Sequence, residues 1–358
     1  MKPRDVAIKG IGPVSAQGTD AASVWNRLNG EIAETTGKLK GELEFTVNLP
    51  ASRLRRVGRY SRLALAGALE AWKDAGIELD GISPFRRGSI FTTGYGSLVS
   101  NVTFSESVAK GDPNSCSPTL FAGTVANSCV GHVCMELNLK GVSTVLMGGN
   151  IFVYSKLLLD TDKADVIFAG AVEEYSQDLW HSLEKNEVAS GVEINEATVV
   201  FVLEQVDEGT HDAYCVLGAG ASVGLSGFPL ITMIDPAMTK RTIKLALRDC
   251  VEKNKDKGDI DAVFSSSNGS YFDEVEERAI EEELPRSLIV SGVKGFLGET
   301  MGCAFSLNVA AAALCLKNRS IPLSLTRGGS YDADFRNLLV TGFDPAGNYH
   351  CLALRRLG

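Results

Sequence analysis

The chain has 358 residues, 44% of them apolar, enough to bury a sizeable core and too many for a disordered chain. A net charge of -9 and a pI near 5.1 argue against nucleic acid or anionic lipid as a general partner. The opening MKPRDVAIKGIG lacks the apolar run of a signal peptide, and no apolar stretch of about 18 residues stands out to cross a membrane. The eight cysteines are scattered without CxxC pairs and sit mostly in apolar surroundings, so a reducing cytoplasm is expected. Cys129, His132 and Cys134 lack a second cluster, so no metal and no cofactor are expected.

In chain order, Val6 to Gly12 reads as a strand with a glycine turn, and Ala21 to Leu28 as a short amphipathic helix. Leu49 to Arg59 is irregular and carries Arg53, Arg55, Arg56 and Arg59, a solvated loop or a docking face for an acidic partner. Ser61 to Ala75 is an Ala- and Leu-rich helix stopped by Gly76. Ser89 to Thr93 is a strand, Asp112 to Pro118 a loop, and Gly123 to Leu137 a buried helix. Ser143 to Met147 is apolar and β-branched, hence a buried strand. Gly148, Gly149 and Asn150 make a sharp turn into a helix at Ile151 to Leu159, with Ile151, Tyr154, Leu157 and Leu158 toward one face. Asp165 to Gly170 is a second buried strand. Residues 175 to 192 form an exposed excursion, and Ala197 to Leu203 is a strongly β-branched strand.

The order then repeats. Tyr214 to Gly220 resembles the opening strand, and Thr239 to Glu252 the helix at Ser61 to Ala75. Phe91, Gly96 and Ser97 recur as Phe264, Gly269 and Ser270, each 173 positions later. Ser306 to Leu316 pairs in this reading with Gly123 to Leu137, and strands at Asn337 to Thr341 and Tyr349 to Arg355 close the chain. A repeat of this length implies two α/β halves, residues 1–205 and 206–358, packed back to back.

Residues 141–174 carry the chemistry of the argument. Strand, glycine turn, helix, strand is the geometry of a nucleophile elbow, whose apex points a reactive group at a helix N-terminus. A Cys or Ser belongs at that apex, and this turn has neither.

Together these stretches resemble the β-ketoacyl synthases of the thiolase superfamily over nearly the whole chain. VAIKGIGPVSAQG looks like the family's opening strand and turn, and ADVIFAGAVEE (164–174) is close to its aDvalaGgvEe. Residues 294–322 look like its KxxxGHtxGAaG stretch, and TGFDPAGNYHCLAL (341–354) like its closing GFGGTNa strand with an extra residue. The resemblance implies duplicated βαβαβαββ halves in a five-layered αβαβα fold. It also implies a Cys that takes an acyl chain from acyl carrier protein and two His that promote decarboxylation.

Matched position by position, the family's Cys falls at Gly149 to within one or two residues, its first His on Asn268 and its second on Glu299. Lys294, Phe343 and Asn348 are retained. Glycine has no nucleophile, asparagine cannot carry the proton, and an ionised Glu299 would repel an enolate. A charge pair between Glu299 and Lys294 would fill the space. None of His132, His181, His211 and His350 lies at a family position, and each reads as an ordinary core or surface residue.

The resemblance thus implies a subunit of chain-length-factor type without condensing chemistry of its own. It would pair through Ser143 to Met147 with an active ketosynthase, or with itself, and meet acyl carrier protein. Phe104 and Phe121 are candidate plugs of an acyl tunnel or plain core residues. The alternative is an active 3-oxoacyl-[acyl-carrier-protein] synthase with displaced chemistry, Cys303 or Cys129 accepting the acyl group. A self-paired acyl binder is a third reading.

Overall fold

A computed structural model describes residues 4–30, 41–111, 116–185, 192, 194–207, 212–326 and 334–357. The first half runs β1 (Asp5–Val14), α1 (Ala21–Leu28), α2 (Ala51–Leu54), α3 (Arg59–Ala75), β2 (Arg87–Thr93), α4 (Leu98–Ala109), α5 (Pro118–Ala122), α6 (Ser128–Glu136), β3 (Ser143–Met147), α7 (Ile151–Asp160), β4 (Val166–Glu173), α8 (Gln177–Glu184) and β5 (Ala197–Val206). The second runs β6 (Cys215–Gly224), α9 (Pro236–Asn254), β7 (Ala262–Phe264), α10 (Phe272–Glu283), β8 (Leu288–Val290), α11 (Val293–Leu297), α12 (Ala304–Asn318), β9 (Asn337–Phe343) and β10 (Asn348–Arg355).

The strand order is β3-β2-β4-β5-β1 in one half and β8-β7-β9-β10-β6 in the other, joined where β1 meets β6. Each half has two parallel pairings around its second strand and two antiparallel pairings beyond. Helices α7 and α12 touch strands of both halves and form the central layer. Helices α3 and α6 cover the outside of the first sheet, and α9 and α10 cover the second. The result is the thiolase-like arrangement of five layers.

Local sequence explains the closest approach. A Cβ on Gly12 would lie 2.1 Å from the Gly67 carbonyl oxygen, so the small residues of β1 and α3 let strand and helix pack backbone to backbone. Gly76 closes α3 with φ 60°, the left-handed cap its position predicts.

Several expectations need correction. Strand β3 is an edge strand, paired among the described residues only to β2, with Ser143 and Met147 exposed, so it is not buried. The apolar run reads as core because composition does not distinguish an edge strand from a central one. Helix α7 buries Ile151, Phe152, Ser155 and Leu159, while Leu157 is exposed. The counterpart of α12 is α7, not α6: both follow the third strand of their half, whereas α6 corresponds to α10. Residues 301–318 are long and apolar enough to cross a membrane, but 89% of that stretch is buried in the fold, where a helix lying between two sheets is apolar all round. Most of the loop at Asp112 to Pro118, positions 186–191 of the 175–192 excursion, and His211 lie outside the described residues, while the rest of that excursion is mainly α8, which buries Leu183.

Candidate functional site

The elbow forms as its composition requires. Gly148 has φ 76° and Gly149 φ 134°, values an L side chain rarely adopts. Asn150 caps α7, its side-chain oxygen accepting from the N–H groups of Phe152 and Val153. A Cβ on Gly148 would fall 2.6 Å from Ala346 Cβ and 2.8 Å from Asp344 Oδ2. The turn between β9 and β10 therefore packs directly on the elbow.

Asn268, Glu299, Lys294 and Phe343 come together. Asn268 Nδ2 donates to Glu299 Oε2 at 3.0 Å, and Lys294 Nζ lies 2.8 Å from the same oxygen. The ammonium also sits 4.0 Å from the centroid of the Phe343 ring. Glu299 Oε1 accepts from the Met301 N–H. The Lys294 and Glu299 side chains are 3% and 1% exposed, so each charge answers the other. The carboxylate is thus engaged by an ammonium, an amide and a backbone N–H, which hold it in a structural pair.

Asn348 opens β10, where its side-chain amide donates to both oxygens of Asp344. Behind the β2 and β4 ends, Glu173 accepts from the N–H groups of Gly94, Tyr95 and Gly302. Burial pushes its carboxyl up to about 7.

The cysteines offered as acyl acceptors are poorly placed for it. Cys303 is fully buried, and burial, with Glu173 nearby, drives its thiol well above the usual range. Cys129 is buried against Tyr60, and burial pushes its thiol up to about 12. A nucleophilic thiol needs an exposed, electropositive setting instead. Phe104 and Phe121 meet at the α4–α5 corner as tilted rings with centroids 5.3 Å apart. Phe121 is 59% exposed and so not a core residue. Helix α5 also lines a cavity of about 340 Å³ with Tyr60, Ser61, Ser128 and His132. Of the four arginines, Arg53 pairs with Glu136 and Arg59 with buried Glu196, leaving Arg55 and Arg56 exposed. Among the described residues no group of three His, Cys, Asp or Glu is arranged to hold a metal ion.

The sequence reading passed over one cluster. His350 is 1% exposed and lies between Ser222 and Asp344, its Nδ1 2.8 Å from Ser222 Oγ and its Nε2 2.8 Å from Asp344 Oδ2. The partners are 128 and 6 positions away in sequence, so only the strand register could have revealed them.

A family profile described as "Beta-ketoacyl synthase, N-terminal domain" matches residues 3–190. The chain is 26% identical to Nodulation protein E of Rhizobium leguminosarum bv. trifolii, across 89% of this chain and 88% of that protein. It is 23% identical to the 3-oxoacyl-[acyl-carrier-protein] synthase 2 of Coxiella burnetii (strain RSA 493 / Nine Mile phase I), across 90% and 88%. Among solved structures, the ishigamide ketosynthase/chain length factor superposes with a TM-score of 0.80 at 19% identity, covering 99% of this chain and all of that one.

Proposed function

This chain belongs to the β-ketoacyl synthase family, and from that premise we propose that it is a subunit with the ketosynthase scaffold and no condensing chemistry of its own. It pairs with a Cys-bearing ketosynthase and serves fatty acid or polyketide-type synthesis on acyl carrier protein. One observation carries the reading. The elbow holds Gly148, Gly149 and Asn150, and the two positions matched to the family's imidazoles hold Asn268 and Glu299, hydrogen-bonded to each other with Glu299 paired to Lys294. Loss at one position would leave a crippled enzyme; here the elbow has no nucleophile, and Asn268 and Glu299 bond to each other and to Lys294 in place of a proton relay.

The exposed edge of β3 is the surface that supports pairing, since an unpaired strand rich in apolar residues demands a cover. The Phe104–Phe121 corner and the neighbouring cavity support a role in limiting acyl length.

Co-expression with a ketosynthase bearing an intact Cys-His-His set tests this. Condensation of acyl and malonyl carrier protein should require both chains, with none from this chain alone. Turnover by this chain alone would end the reading. In the active pair, Phe121→Ala should lengthen the products, and an unchanged product distribution would remove Phe121 from the tunnel.

A further inference from the structure

We infer that Ser222, His350 and Asp344 form a second site, a serine nucleophile unit acting on acyl esters or thioesters. It goes beyond the proposed pairing role and does not depend on a partner. Ser222 and His350 are directly opposed in the antiparallel β6–β10 ladder, so their side chains share one face. Asp344 is fixed at the β9–β10 turn by the backbone and side-chain N–H groups of Asn348. His350 is pinned from a third side by the Phe305 ring, 5.3 Å between centroids.

The hydrogen bonds assign roles. An ionised carboxylate only accepts, so the neutral imidazole carries its proton on Nε2 and donates it to Asp344. Nδ1 is then the free lone pair, and Ser222 Oγ–H donates to it. That is the arrangement of a general base holding a hydroxyl nucleophile, oriented by an acid. Burial works to raise the Asp344 carboxyl, but the hydrogen bonds from His350 and from the Asn348 donors outweigh it and keep the acid below the usual carboxylate range. The relay runs from two buried groups to an exposed one, since Ser222 lies open to solvent at the end of β6. On the same face two residues earlier, Gly220 abuts Asn150 and Val153, so the N-terminus of α7 lies beside the serine.

The chemistry balances without a further reactant. Ser222 Oγ attacks the acyl carbonyl and its proton passes to His350 Nδ1. The bond to the alcohol or thiol breaks, and the leaving group takes that proton. Water then adds to the acyl-serine, its proton passing to His350 and on to Ser222 Oγ as the ester C–O bond breaks.

The test uses the full-length chain and an alkyl fluorophosphonate, whose P–F bond is exchanged for a bond to an activated serine oxygen. Mass spectrometry should find one adduct, mapped to Ser222, and hydrolysis of p-nitrophenyl butyrate should disappear with it. Ser222→Ala lies on the surface and should abolish both without altering the circular dichroism. His350→Gln should slow labelling about 100-fold or more, as expected for loss of a general base, and Asp344→Asn about 10-fold or more through the wrong tautomer. No adduct at Ser222, an adduct only on another serine, or equal labelling rates for native and His350→Gln protein would each overturn the inference.

Discussion

Strands β3 and β8 hold the same place at opposite ends of the molecule, each paired in parallel to the second strand of its half. Beyond β8, Val290 bridges to Thr326, and Leu325 buries itself against the same cluster as Val290. Beyond β3 no strand is paired among the described residues, and Met147 is 52% exposed. The same contrast holds in the central layer. Helix α12 is buried over nearly its whole length, while α7 leaves Val153 and Leu157 in solvent. One topology, used twice, is closed in the second half and left open in the first. Exposed Val99, Phe121, Val125 and Met135 lie on the segment that connects β2 to β3, so the open half presents apolar surface that a monomer gains nothing by exposing.

Substitutions can break this contrast. The largest effect is expected inside the closed half, where Glu299→Gln leaves the buried Lys294 ammonium without its counter-charge. Urea unfolding should show a loss of about 3–5 kcal/mol. Next is Ile289→Lys on β8, which sets a charge against the cluster under α9 and α10 and should cost about 2–3 kcal/mol. At the matching edge, Met147→Lys should change the stability of the isolated chain by about 0.5 kcal/mol or less. It should instead weaken association with the partner or with itself at least 10-fold, read by sedimentation. Equal destabilisation by the two lysines would erase the distinction between the edges. Gly148→Ala should cost about 1–3 kcal/mol, through its positive φ and the clash with Ala346.

The smallest effect is a pH dependence. Glu173 has a folded pKa of about 7, raised above its unfolded value, so the fold favours its neutral form. Its contribution is full below about pH 4.5 and is lost as pH rises through about 7. Glu173→Gln should flatten the fall in stability over that window, and an unchanged slope would assign it to other groups.

Element type was legible wherever one periodicity dominated. The Ala-rich α3, the β-branched β5 and the glycine turn at Gly148 and Gly149 are encoded locally, within a few residues. The repeat was legible for the same reason: Gly96 and Gly269 both sit at positive φ after equivalent strands. The pairing of α12 with α6 went astray because composition cannot tell a central helix from one lying on a sheet face. The burial of β3 was misread because an apolar edge strand and a strand inside a core use the same residues.

Within the candidate site, Asn268, Lys294 and Glu299 were singled out by the family resemblance of the stretches around them, whose pattern is local. The Ser222–His350–Asp344 relay could not be found that way. Its members lie on two strands and a turn whose register is set by antiparallel pairing across more than a hundred residues.

The sequence by itself determined two α/β halves, a core large enough to hold them, and an elbow without a nucleophile. These follow from propensity, periodicity and residue chemistry, which act over a turn or a strand. Tertiary structure decided which edge stays open, which charges neutralise each other and which histidine gains partners. Those outcomes depend on distances between segments remote in the chain, and burial gives such distances their energetic weight: a charge or lone pair enclosed among apolar atoms must be answered by whatever group the fold brings beside it.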